Sequence, residues 1–347
     1  MKRFTKQNFM PSLLLAVAAM GISSAAPAQE KPIEWRYYTA HTADRDVFKL
    51  ETDWANMINE ASKGRLKIKV YPGGSLGFKE SDMLGALKNG LVESSYIYAG
   101  YYGRTQPALP LVLPQMVFNT RAEFLDILPA AYAAYADLYS EWDINIASMW
   151  PTSTCNIAII GKEKFNTMDS LKGKRVRVWE AQQVNSLRAL DVVGTVVPQN
   201  DIYLAFKTGM IDAIVHYPEA LRTLSLAEDA KYFSLLQPVP VVQGIGISER
   251  AFNALPADLQ EIVRKASDEH RKKWAADAGT DCMEEQRHLD WAKEHKVERL
   301  PDFSAADREK LSRAAIDAWR ARATQVGGEA EKVQKRMEDA LMKLRNG

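Results

Sequence analysis

The amino-acid sequence predicts an α/β fold in two lobes, with a ligand cleft between them and a long helix bridging the two. Three observations predict it. Segments whose apolar residues alternate with period two are interleaved along the chain with segments of helical period, the pattern of α/β proteins. The chain has 347 residues, too many for one ordinary domain and comfortable for two. And Leu171–Ala220 reads as one β–α–β–α–β unit, which implies parallel strands with their loops gathered at the carboxyl ends, where ligands of open α/β sheets sit.

Taken in order, Ile33–Thr39 is a strand. The following helix carries Phe48, Leu50, Trp54, Met57 and Ile58, with Asp44 or Asp46 as its cap. Leu66, Ile68 and Val70 alternate with Lys67 and Lys69 in a half-buried strand. A helix through Leu84 and Leu87 stops at Asn89-Gly90, and Val92–Tyr98 is the next strand. Leu109–Val117 is a buried connector. Arg121–Asp143 holds one or two helices, and Ile144–Met149 a strand ending at Trp150-Pro151. Ile157–Ile160 leads into the central unit, whose strands are placed at Arg175–Val178, Thr195–Val197 and Ile211–Val215. Pro238–Ser248 reads as a strand returning to the first lobe. From Pro256 to about His295 the chain is helical, Val297–Leu300 is a short strand, and the rest is helical with a break at Gly327-Gly328. The expected lobes are residues 29–150 with 243–279, and residues 151–242 with 280–347.

The first 28 residues read as an export signal. Lys2, Arg3 and Lys6 precede the apolar run Leu13–Ile22, and Ala26-Pro27-Ala28 is a small-residue cleavage site. The run is too short to span a bilayer; the alternative is a retained anchor. Of 45 basic residues, three leave with the signal, so 42 face 44 acidic ones, a net charge of −2. No basic excess argues for nucleic acid or an anionic membrane. The mature protein is expected in the periplasm, as a monomer. Cys155 and Cys282 are the only cysteines; an oxidising compartment permits a bridge between them without requiring one.

Signals for chemistry are few. Pro72–Gly77 lacks the Gly-Lys-Ser/Thr ending of a phosphate loop, and Glu249 stands where Gly244-Ile245-Gly246 would need a third glycine to bind a dinucleotide. The five histidines form no metal motif, and no Gly-x-Ser-x-Gly elbow is present. No cofactor and no catalytic residue is expected. Arg175 and Arg177 alternate with Val176 and Val178. They are expected to leave the strand on opposite faces, one to solvent and the other into a cleft. A guanidinium binds carboxylate as a planar fork, so one such arginine can set a requirement for an organic acid. Tyr38, Tyr98, Trp150, Trp179 and Tyr217 all fall at or just past strand ends.

Six segments also resemble the DctP-type substrate-binding proteins of tripartite ATP-independent periplasmic (TRAP) transporters. They are Gly64-Arg65-Leu66-Lys67-Ile68, Tyr71–Gly77, Leu87-Lys88-Asn89-Gly90, Leu171–Val178, Ile202-Tyr203 with Lys207-Thr208-Gly209, and Leu255–Gln260. The resemblance implies a two-lobed periplasmic binding protein fold that closes on a small organic acid and delivers it to TRAP membrane permease subunits. It assigns the carboxylate to Arg177, in the Lys-Gly-x-x-x-Arg strand, and part of the pocket to His216-Tyr217-Pro218-Glu219, where many acid-binding members carry Asn-Pro. The segment that often supplies a second arginine is Pro151–Asn156 here, so a monocarboxylate with an apolar, aromatic, keto or hydroxy body is expected over a dicarboxylate. The expected ligand-binding set is Arg177 with Tyr38, His41, Tyr98 and Trp150 from the first lobe, and Asn156, Trp179, Asn200, His216 and Tyr217 from the second. The alternatives are an exported enzyme acting on a small carboxylate, or a receptor serving another transporter or a sensor.

Overall fold

Alternation builds the first sheet. β1 (Ile33–Tyr38) and β2 (Leu66–Tyr71) run parallel in register from Ile33 opposite Leu66 to Tyr38 opposite Tyr71. The structure, a computed structural model, describes residues 31–43, 46–153, 156–239, 241–277 and 282–346. The export segment, Asp44 and Cys155 lie outside these residues, as do the side chains of Asp46 and Cys282, and with them the helix cap and the cysteine pairing. Between β1 and β2, α1 (Asp46–Ala61) buries Val47, Leu50, Trp54 and Ile58, which recur every three or four residues on one helix face. α2 (Met83–Lys88) ends at Asn89 and turns on Gly90 at φ +67°, the left-handed conformation that favours glycine. β3 (Ser94–Tyr98) follows, parallel to β1 and buried throughout.

α3 (Arg121–Ser140) is one helix rather than two, running through Pro129 and capped by the Thr120 hydroxyl, which accepts from the Glu123 amide at 3.2 Å. β4 (Ile144–Ser153) does not stop at Met149 as expected. It continues through Pro151, which is tolerated because β4 is the edge strand of its sheet. The chain then enters the second sheet with β5 (Asn156–Gly161). β6 (Arg175–Val178), α4 (Ala181–Arg188), β7 (Val193–Val196), α5 (Ile202–Lys207) and β8 (Ala213–His216) form the anticipated unit. β6 is parallel to both β7 and β8.

After α6 (Ala220–Thr223) comes β9 (Tyr232–Pro238), a strand absent from the sequence reading. It pairs antiparallel with β5, and the chain then crosses back as β10 (Val241–Ser248), antiparallel between β3 and β4. α7 (Glu249–Asn253) leads to α8 (Ala257–Asp277), which lies on β4 and α1. α9 (Cys282–Glu294) lies instead on α6 and β11 (Glu298–Arg299) of the second lobe, so the α8–α9 segment carries the bridge. α10 (Ala305–Val326) and α11 (Glu329–Asn346) finish the chain, with Gly327 and Gly328 at positive φ between them.

The sheet orders are β2-β1-β3-β10-β4 and β11-β9-β5-β8-β6-β7, and each is mixed because a strand near each crossing runs antiparallel. One apolar cluster takes in Ile97 and Ile144 of the first sheet, Ile157 and Val176 of the second, and Trp319 and Met337 of α10 and α11, so the terminal helices contribute to a core touching both sheets. Trp319 donates its indole N–H to the Leu111 carbonyl at 2.9 Å, and Arg345 pairs with Glu123 at the start of α3.

Gly244 of β10 packs with no room to spare: a Cβ there would stand 2.7 Å from the Ser148 carbonyl oxygen and 2.9 Å from Met149 Cγ. Backbone cannot yield as a flexible side chain can. Gly244→Ala is therefore expected to cost about 1–3 kcal/mol of unfolding free energy, read as a lowered urea midpoint at unchanged slope.

Candidate ligand-binding site

β6 is flanked by β7 and β8, and its carboxyl end supplies Arg177. Two residues apart on a strand means one face, so Arg175 and Arg177 do not leave β6 on opposite sides, contrary to expectation. They part along the strand instead. Arg175, at the exposed edge, is clasped by Asp212, with Nε to Oδ2 at 3.0 Å and Nη2 to Oδ1 at 2.7 Å. That pairing holds the Asp212 carboxyl below its ordinary range. Arg177 lies deeper, 3 % exposed, and donates from Nε to the Val197 carbonyl at 3.0 Å and from Nη1 to the Val215 carbonyl at 3.2 Å. Its guanidinium carbon stands 5.8 Å from the Trp179 ring centre.

Two carbonyls and a ring leave part of the five-donor fork uncommitted, and among the described residues no carboxylate pairs with it. Burial without a counter-charge lowers the Arg177 pKa to about 10, with the nearby Tyr101 offsetting a little. The group stays cationic at neutral pH. It is a desolvated cation shaped for a planar anion.

Around it stand side chains of both lobes. Trp179, half-buried, precedes Glu180, the N-cap of α4. Glu180 accepts a hydrogen bond from the Tyr98 hydroxyl of the first lobe, and Tyr101 meets Tyr98 edge-on at 5.0 Å. Tyr98, Gly100, Gln115, Tyr135, Glu180 and Val242 line a small pocket at this junction. Burial raises the Glu180 pKa to about 7 against the lowering effect of bonds from Tyr98 and Trp179.

The other expected residues are distributed as follows. His216 closes β8 and is buried, with Tyr217 edge-on at 6.2 Å and its hydroxyl donated to the Val239 carbonyl at 3.2 Å. Asn156 is half-buried at the start of β5, opposite Pro238. Asn200 lies in the 3-10 turn Gln199–Asp201, and its side chain is outside the described residues. In the first lobe Tyr38 gives its hydroxyl to the Phe78 carbonyl at 2.8 Å, and burial raises its pKa to about 12. His41 Nδ1 is 2.8 Å from Glu51 Oε1, both side chains buried. Trp150 packs edge-on to His270 at 5.5 Å, with its indole N–H buried and lacking a protein acceptor. Arg177, Trp179 and Tyr98 are thus brought together, whereas Tyr38 and His41 commit their polar atoms to their own lobe. Glu180 and Tyr101 were not in the expected set. Glu180 had a faint signal, a carboxylate directly after the strand with Gln183 three residues on. Among the described residues no group of three or more His, Cys, Asp or Glu side chains could hold a metal ion.

The chain matches the family model of the bacterial extracellular solute-binding proteins, family 7, over residues 39–325. A solute-binding protein of Sulfitobacter sp. (strain NAS-14.1) is 27% identical over 217 residues, spanning 61% of this chain and 65% of that relative. Among solved structures, DctP7, a Bordetella pertussis extracytoplasmic solute receptor binding pyroglutamic acid, superposes with a TM-score of 0.76 at 18% identity, covering 89% of this chain and 99% of that one. A TRAP periplasmic solute binding protein from Sulfitobacter sp. NAS-14.1 with bound β-D-galacturonate superposes with a TM-score of 0.72 at 22% identity, covering 90% and 100%.

The contrast between paired and committed side chains is testable through stability. Glu51→Ala, which strands buried His41, is expected to cost about 2–4 kcal/mol in urea unfolding. Arg175→Ala, on a screened exposed pair, should leave the midpoint within the scatter of ordinary surface substitutions.

Proposed function

Because the chain belongs to the bacterial extracellular solute-binding proteins of family 7, we propose that it is a periplasmic receptor that captures a small organic acid and hands it to TRAP permease subunits without chemical change. The observation that carries this reading is the buried, counter-charge-free guanidinium of Arg177 in the cleft. A carboxylate bound there restores the missing charge through two parallel hydrogen bonds. Trp179 and Tyr98 then lie beside the body of the acid, and His216 and Tyr217 close the carboxyl end of β8 against it.

A single carboxylate is favoured, since Arg177 keeps donors uncommitted and Pro151–Asn156, the segment that often supplies a second arginine in the resembled family, contains none. The two solved neighbours described above carry pyroglutamic acid and galacturonate, each a monocarboxylate. Micromolar affinity requires about −8 kcal/mol, within reach of one bidentate pair and burial of an apolar or aromatic body. Export to the periplasm and action as a monomer belong to the same reading.

A thermal-shift screen of monocarboxylic and dicarboxylic acids tests it. An acid that binds should raise the melting temperature of the parent and of Arg175→Ala alike. Arg177→Ala should weaken binding by at least about thirtyfold, the consequence of leaving the ligand's charge unpaired, and Arg177→Lys should restore little of it because an ammonium lacks the fork. A hit that stabilises Arg177→Ala as well as the parent contradicts the placement. Mass spectrometry of the acid after incubation should recover it unchanged; any product would contradict the receptor reading.

A further inference from the structure

We infer that Tyr98 and Glu180 form a latch between the two lobes, and that closing it takes the Glu180 carboxyl out of water, so that opening and closing respond to pH. The inference rests on the two-lobed fold and not on the identity of any ligand.

The geometry is prepared from both sides. On the second lobe Glu180 and Gln183 form a capping box: the Glu180 carboxylate accepts from the backbone N–H of Gln183, while Gln183 Oε1 accepts from the amides of Trp179 at 3.0 Å and Glu180 at 3.2 Å. The Trp179 side chain also donates to it. From the first lobe Tyr98, at the end of β3, reaches across and donates its hydroxyl to Glu180 Oε1. Next to Tyr98 in the first lobe stands Gly100, where a Cβ would come within 2.6 Å of Glu180 Oε1 and 2.6 Å of the Tyr98 ring. Any side chain at position 100 would push the carboxylate and the tyrosine apart.

The contact also changes the surroundings of an acid. In an open cleft Glu180 meets water and titrates near its ordinary 4.5; in the closed arrangement burial raises it to about 7, and no cation among the described residues opposes this. The titratable groups facing it are Tyr98 at the end of β3, Tyr101 just after it, Tyr135 of α3, and Arg177 of β6 beyond Trp179. Burial holds the Tyr98 and Tyr135 hydroxyls far above neutral pH, and Arg177 titrates at about 10. A pKa raised on closing means that closing takes up a proton. Closure is therefore favoured fully below pH 4.5 and loses that contribution as pH rises through about 7. A protonated carboxyl still offers its carbonyl oxygen to Tyr98, so the hydrogen bond survives protonation.

Single-molecule energy transfer tests this without ligand. Dyes attached through encoded azido residues at Lys67 and Lys231, one exposed site on each lobe, leave both cysteines untouched, and extensive dialysis removes carried-over acids. In the parent the closed-to-open ratio should fall about tenfold or more between pH 5 and pH 8.5. Glu180→Gln should remove that dependence, which assigns it to Glu180 and to no other titratable group. Tyr98→Phe, which deletes one atom, and Gly100→Ala should shift the population towards open at every pH. A pH response that persists in Glu180→Gln, or a Tyr98→Phe distribution that matches the parent, overturns the inference.

Discussion

A guanidinium held out of water with no carboxylate beside it constrains the rest of the molecule. Arg177 can occupy that position because β6 lies between two parallel neighbours, whose Val197 and Val215 carbonyls take two of its donors, and because Trp179 covers it. These contacts orient the fork, and among the described residues no carboxylate neutralises it. On the reading proposed above, the compensating charge is that of a bound acid. The same strand supplies the contrast: Arg175, two residues earlier, meets Asp212 at the surface and needs nothing further.

The architecture serves that constraint by bringing two sheets together around one site. The chain passes from β4 into β5, returns from β9 into β10, and passes again between α8 and α9. The α3, α10 and α11 layer packs against both sheets in one apolar cluster. Tyr98 and Glu180 then meet at the mouth, where Gly100 leaves them space. Recognition and closure thus fall, in the two proposals, to different groups, charge recognition to Arg177 and lobe contact to the Tyr98–Glu180 pair.

Much of this was legible in the sequence. The β–α–β–α–β unit, the strand returning to the first lobe and the paired terminal helices follow from periodicity and glycine placement, and the family follows from six short segments together. β9 was not, because Tyr232–Pro238 mixes Ser234 and Gln237 into an apolar run and shows no alternation. Pro151 read as a terminator, although an edge strand accommodates it. The site was half legible. Strand alternation and strand ends point to Arg177 and the aromatics as candidates, but a sequence does not say that Tyr38 and His41 turn their polar atoms inward to Phe78 and Glu51. Nor does it reveal Glu180, whose importance comes from a tyrosine 82 positions earlier.

What Arg177 binds is addressed most directly by a crystal structure of the protein with an acid that stabilises it. The prediction is that both oxygens of the acid's carboxylate lie within hydrogen-bond distance of the Arg177 guanidinium, with Trp179 and Tyr98 against its body. A complex in which the carboxylate is held elsewhere, with Arg177 still bonded only to the Val197 and Val215 carbonyls, would contradict it.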